Sequence, residues 1–161
     1  MATIPELAIL ARDPEEDFRG LRDKMMGTPT MRGDEPSQNL QWGITASSFI
    51  SDVETHASVA SAGYYCRYFL QYFDSLFRSM AEIDRVLTTE GKCAIVIQDS
   101  YYKELHLDLP KVVSEMASGF GWSMITRKNF PVGAAYAMMN PASRRYRTSY
   151  KATESFILFD T

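Results

Sequence analysis

Apolar positions along residues 65–87 recur at spacings of four, three, four, four, three and four: Tyr65, Phe69, Tyr72, Leu76, Met80, Ile83 and Leu87. Residues three and four apart share one face of a helix, so the spacing predicts a helix with a continuous apolar stripe. The helical pattern begins near Phe49 and runs out in Arg85-Val86-Leu87. Its plainest meaning is a core helix packed on a sheet, although the aromatic surplus around Tyr64, Tyr65, Tyr68 and Phe69 also suits contact with a partner chain. A turn centred on Glu90-Gly91 follows, then Cys93-Ala94-Ile95-Val96-Ile97, apolar at every position. Such a run lacks the alternation of a half-exposed strand and predicts a central strand, over 92–98, buried on both faces. That strand delivers Gln98, Asp99 and Ser100 to its carboxyl end.

On the amino-terminal side, Ile4, Leu7, Leu10 and Ala11 form a short helical stripe ended near Asp13-Pro14. Pro14 then opens a second helix, with Glu15, Glu16 and Asp17 where the helix dipole favours acids. Phe18, Leu21 and Met25 share one face of it, and Gly27-Thr28-Pro29 stops it. Residues 27–47 show little periodicity and predict a long loop. Beyond the strand come a loop at 101–107 and a helix opened by Asp108 with Pro110 in its first turn. Val112, Val113, Met116 and Phe120 are its buried side, and Gly119 and Gly121 close it. A strand over 122–130, a loop over 131–143, the basic run RRYRTSYK and a last strand over 154–160 complete the chain. The last two strands are joined by a loop and not by a crossover helix, which predicts an antiparallel hairpin. The chain divides into N-terminal helices and a long loop (1–48) and an α/β unit (49–161).

With 161 residues, 45% of them hydrophobic, the chain can bury one domain's core. A net charge of −3 excludes a globally basic nucleic-acid binder and leaves that role to the local run at 144–151. Cys66 and Cys93 fall in a predicted helix and a predicted strand, as reduced core residues do. With His56 and His106 they have no metal-ligand spacing, so no metal is expected. No apolar run approaches the ~20 residues that span a bilayer. The leading residues MATIPELAILARDPEED carry no basic leader or cleavage site, and the expectation is a cytoplasmic protein.

Several segments, in order, resemble the amino-methylating DNA methyltransferases, which act on an exocyclic amine of cytosine or adenine. They are R-x-L-R-x-x-M-x-G-T at Arg19–Thr28, then Tyr68, Tyr72, Phe73 and Leu76 before the R-V-L turn, and G-K-C-A-I-V-I-Q-D-S. Gly119-Phe120 before a strand and R-R-Y-R…E-S-F-I-L-F at the close follow. The resemblance covers roughly 140 residues and implies the class I fold, a mostly parallel Rossmann-like sheet with helices on its faces and a reversed hairpin at its end. Two family motifs are absent. The catalytic Asp/Asn/Ser-Pro-Pro-aromatic sequence holds the flipped base and its amine, yet no Pro-Pro occurs in this chain. The Gly-rich turn that lets backbone approach the methyl donor is absent too. The resemblance thus implies the carboxyl-terminal half of a split enzyme, with no catalytic residue of its own. S-adenosylmethionine would be bound mainly by a complementary N-terminal half, in a heterodimer that methylates DNA within a modification or restriction system. A non-catalytic, methyltransferase-like scaffold in such a complex, or a fragment without activity, remains open at this point.

Asp99, Ser100 and Tyr101 are the supporting site residues in this reading, placed to orient a flipped base or the catalytic loop; Asp and Ser also cap turns. Tyr101 and Tyr102 suit stacking on a base or covering the helix below. Arg144, Arg145, Arg147 and Lys151, interleaved with Tyr146 and Tyr150, suit phosphate contacts and stacking, or a solvated turn in which Glu154 pairs with an arginine. Lys24 and Arg32 are weaker candidates for the DNA backbone.

Overall fold

Trp42 is fully buried, so the core begins well before the predicted long loop ends. The structure, a computed structural model, describes residues 37–132 and 152–161 together with Gly20, Asp23, Met25, Met26, Gly27, Thr30 and Met31. The Asn39 side chain accepts the Gln41 N–H and caps a 3-10 turn, Leu40–Trp42. Gly43, at φ 90° and ψ 173°, then turns the chain into helix α1 (Ile44–Thr55). Helix α1 has no cap of its own. Glu115, from a helix far along the chain, accepts both the Thr45 N–H (2.8 Å) and the Thr45 hydroxyl (2.7 Å). A carboxylate there satisfies donors at the first turn and meets the positive end of the helix dipole.

The helical pattern expected from Phe49 onward is broken. Helix α1 stops at Thr55, His56 is extended, and a π-helical turn at Ser61–Tyr65 leads into helix α2 (Cys66–Val86). Small and polar residues at 56–63 offer no apolar stripe to hold a helix there. Helix α2 buries Cys66, Phe69, Leu70, Phe73, Leu76 and Met80. Tyr72 is therefore only half-buried, and Ile83 lies exposed.

Strand β1 (Lys92–Gln98) is followed by a small hairpin, β2 (Ser100–Tyr102) and β3 (Leu105–Leu107), in place of the predicted loop. Its two-residue turn puts Lys103 at φ 53°, the left-handed backbone that such tight turns demand. Helix α3 (Leu109–Gly119) starts as expected: the Asp108 carboxylate accepts the Lys111 N–H at 3.0 Å, with Pro110 in the first turn. Val112, Val113 and Met116 are fully buried. Strands β4 (Ser123–Val132) and β5 (Ala152–Asp160) pair antiparallel, as the sequence suggests.

The larger sheet has the order β1-β5-β4, with β5 antiparallel to both neighbours. Strands β1 and β4 consequently run in the same direction. This architecture is mixed α/β, with two small antiparallel sheets among the described residues. Two expectations need correcting. Strand β5 is central and β1 is an edge of the described sheet; Ala94 and Val96 are exposed while Cys93 is buried. An unbroken apolar run cannot distinguish a covered strand from one whose outer face carries apolar residues uncovered. Secondly, the described pairings are antiparallel throughout, not mostly parallel.

Cys93, Ile157 and Phe159 join the helices in one core on a single face of the sheet. The other face presents Ala94 and Val96 beside the half-buried Leu158 and Phe156, their partners in register. Cys66 and Cys93 are both buried and not in a disulfide. No group of His, Cys, Asp or Glu that could hold a metal occurs among the described residues. No described helix is long and apolar enough to cross a membrane.

Candidate functional site

The carboxyl end of β1 opens into a cleft of about 390 Å3. One wall is the π turn and the first turns of α2, contributing Tyr64, Tyr65, Tyr68, Phe69 and Tyr72. The opposite wall is the β2 strand, Ser100, Tyr101 and Tyr102, with Leu107, Leu109 and Gly27 completing the lining. Six tyrosines meet here and no described lining residue carries a charge.

Local backbone irregularity builds both walls. The π turn closes with the Tyr65 N–H on the Ala60 carbonyl at 3.1 Å, a wider loop than an α-helical turn makes. It leaves Tyr64 and Tyr65 on the outside of the helix entrance, 44% and 36% exposed, with rings edge-to-face at 5.1 Å. On the other wall the tight Lys103-Glu104 turn brings the hairpin back, and the Lys103 ammonium sits 5.4 Å from the centre of the Tyr102 ring.

Tyr102 is held from behind. Its hydroxyl shares a 2.6 Å hydrogen bond with Ser61 Oγ, and both residues are buried. Ser61 Oγ also lies 3.3 Å from His56 Nδ1, which accepts the Ser58 N–H at 3.1 Å. With Nδ1 accepting, the neutral ring carries its proton on Nε2 and donates it to Glu104 Oε1 at 2.9 Å. This hydrogen bond holds the Glu104 carboxyl below the ordinary carboxylate range. Although serine, histidine and glutamate stand in sequence, Ser61 is inaccessible, so the chain of contacts braces Tyr102 and does no nucleophilic work.

Tyr68 and Tyr72 are held in the protonated form. Burial, and secondarily Tyr68, pushes the Tyr72 hydroxyl up to about 12. Burial, then Tyr64, raises Tyr68, whose hydroxyl donates to the Gly27 carbonyl at 3.3 Å. The cleft is thus a neutral, aromatic, hydroxyl-bearing slot.

The predicted site residues divide. Ser100 and Tyr101 line the cleft. Asp99 does not; Oδ1 accepts the Thr153 N–H and Oδ2 faces His106 Nε2 at 3.0 Å, on the side of a second, more polar groove containing Asp52, Asp108 and Lys111. Tyr101 bridges the two, its ring 4.8 Å from that of His106. Arg144, Arg145, Arg147, Lys151, Lys24 and Arg32 lie outside the described residues, so Glu154's expected arginine partner does too. Sequence reasoning put Tyr65 and Tyr72 in the core stripe and offered the aromatic surplus around Tyr64, Tyr65, Tyr68 and Phe69 to that core or to a partner chain, not to a cleft. Their one available signal was the choice of Tyr at successive positions where a purely packed helix takes Leu or Phe.

No known family model matches the chain, and neither a curated protein nor a solved structure matches it.

Proposed function

We propose that this chain is the carboxyl-terminal half of a split, S-adenosylmethionine-dependent DNA methyltransferase acting on an exocyclic amine of cytosine or adenine. The reading rests on the sequence resemblance, and one observation supports it above others. Strand β5 is inserted antiparallel between β1 and β4, which run in the same direction and are joined by α3. A reversed last strand is how class I methyltransferase sheets end. Helix α2, running into β1, has the form of the second half of a strand-helix-strand crossover whose first strand is not among the described residues. Right-handed crossovers return to the same sheet, so that first strand would lie beside β1.

The edges of the described sheet fit this assignment. Strand β4 carries a bulge between Met124 and Thr126, then Arg127, Lys128 and Pro131, all devices that discourage further pairing. Strand β1 has none inside it; Lys92 stands at its start, paired with Asp160 at 2.6 Å. A partner chain would add its strands there and cover Ala94 and Val96. The described glycines do not form a donor-binding turn: Gly43 precedes α1, Gly91 precedes β1 and Gly121 follows α3. The methyl donor is accordingly assigned to the partner, and this chain's share is sheet completion, the cleft at the end of β1, and DNA contact by Arg144, Arg145, Arg147 and Lys151.

The test is recovery of the tagged chain with its bound proteins from native cells, followed by methyl transfer from labelled donor to DNA. A co-purifying chain with a Gly-rich loop and a Pro-Pro-aromatic motif, active only when mixed with this one, is the expected result. Activity of this chain alone, or absence of such a partner, overturns the proposal. A stable complex that binds DNA without methylating it favours the scaffold reading.

A further inference from the structure

We infer that β1 is a self-complementary edge, and that without the complementary chain two copies of this chain pair through it into one continuous sheet. The inference rests on the methyltransferase reading only for what later displaces the second copy; the strand itself argues for the pairing. Two backbone bonds at the ends of β1 set its phase. The Thr161 N–H donates to the Gly91 carbonyl at 3.1 Å, and the Asp99 N–H donates to the Thr153 carbonyl at 3.0 Å. In an antiparallel ladder such bonds fall on every second residue. Cys93, Ile95 and Ile97 therefore direct their backbone groups at β5, while those of Lys92, Ala94, Val96 and Gln98 point away from it. None of those four has another backbone partner among the described residues.

An antiparallel match of β1 to its own copy uses these groups when Ile95 meets Ile95 of the second copy. Ala94 then faces Val96 and Lys92 faces Gln98, each pair exchanging two hydrogen bonds, and Cys93 faces Ile97. Residue i meets j and j meets i, as a two-fold interface requires. Shifting the match by two residues in either direction leaves Gln98 or Lys92 without a strand partner. No charge meets its like: Lys92, held by Asp160 of its own chain at 2.6 Å, meets neutral Gln98, whose neighbour on β5 is Glu154. Opposed like charges are a common bar to such pairing, and here they are absent.

The side chains agree with the backbone. Ile95 and Ile97 pack against the core yet are only half-buried. At the two-fold axis Ile95 and its copy occupy a non-hydrogen-bonded position, where side chains come closest, and each covers the other. On the outer face, Leu158 and Ala94 of one copy continue into Val96 and Phe156 of the next as one apolar row. Strand β4, with its bulge, cations and Pro131, offers no second such edge, so association stops at two. One edge cannot hold two occupants. The complementary chain must displace the second copy, and the dimer is the form in which the unmatched chain keeps its edge covered.

The full chain, purified alone, is examined by sedimentation velocity over a wide range of concentration. Ala94→Lys, Val96→Glu and an equimolar mixture of the two are run beside it. Both positions are exposed on the outer face, and circular dichroism checks that each variant keeps its fold. We expect the parent at twice the chain's mass. Either variant alone sets like charges diagonally across the two-fold axis and should dissociate roughly three- to thirtyfold more readily, the range that two unfavourable cross-strand pairs bring. In the mixture the introduced lysine faces the introduced glutamate, and affinity should return to within about threefold of the parent. A parent that stays monomeric, dimers indifferent to both substitutions, or a mixture no tighter than the single variants overturns the inference. Species larger than a dimer overturn it as well. The two proposals fail separately. Dimers with this charge response but no methylating partner sink the enzyme alone, whereas a monomeric chain that methylates DNA with its partner sinks the dimer alone.

Discussion

Asp99 Oδ1 accepts the backbone N–H of Thr153 at 2.9 Å, while the Asp99 N–H donates to the Thr153 carbonyl at 3.0 Å. These paired bonds tie the carboxyl end of β1 to the amino end of β5 across 54 residues of chain. The residue that the sequence offers as a base-orienting group is therefore a clasp, and its carboxylate also fixes His106. Asp99→Ala should destabilise the fold by about 2 kcal/mol, the range for a lost hydrogen bond to a charged group that leaves a donor unpaired. Asp99→Asn, which retains an acceptor for Thr153, should lose less. Urea midpoints at constant slope give both values, and equal stability of Asp99→Ala and the parent would remove the clasp.

Gly43 stands where no other residue fits without strain. A Cβ placed there would collide with the Glu115 side chain that caps α1, and φ 90° with ψ 173° is backbone that only glycine adopts freely. Gly43→Ala should cost about 2 kcal/mol, within the roughly 1–3 kcal/mol expected for such a conformation. Glu115→Ala should remove the carboxyl part of the collision but not the part with the Cβ of residue 115, 2.6 Å away, so the double variant loses less than the sum of the two singles but stays below Glu115→Ala alone. Additive losses in a thermodynamic cycle would show that the two positions act independently.

Acid should weaken the hairpin contact to α1. The His56 hydrogen bond holds Glu104 below its ordinary value of 4.5. A carboxyl depressed in the folded state binds its proton more weakly there than in the unfolded chain. Its contribution is complete above the unfolded value near 4.5 and fades as pH falls through the lower folded value. Glu104→Gln should thus flatten the acid limb of stability below that pH and leave the limb above it parallel to the parent. Parallel curves throughout would separate Glu104 from the acid response.

Val96 is 62% exposed on the uncovered face of an edge strand. Val96→Glu should shift the melting temperature by no more than about 3 °C, as surface changes do. It should nevertheless abolish recovery of the partner chain, since a carboxylate would be buried unpaired at the joined sheets. Undiminished recovery would move the interface elsewhere.

Local signals carried much of the fold. Asp108 and Pro110 announced α3, whose cap is made within three residues, and the loop between the last strands foretold their antiparallel pairing. The break at His56 escaped, because Phe49–Val53 and the α2 stripe are both helical in period and the short gap between them carries no strong breaker before Gly63. The cap of α1 escaped for a different reason: Glu115 reaches Thr45 from 70 residues away. Strand β1 read as buried on both faces but is an edge of the described sheet, because apolarity at every position records what a strand tolerates, not what covers it. The cleft was half legible. Ser100 and Tyr101 follow from the strand's end, but the opposing wall depends on a π turn that no periodicity reveals.

The bulge, cations and proline of β4 have an outcome beyond the shape of one chain. Among the described residues they leave one unguarded margin of the larger sheet, so one complementary unit of the proposed kind would exhaust it and the complex would be finite. A chain bare at both margins would template ribbons of indefinite length. In the proposed complex the count of subunits would be set by which margin was left without a barrier.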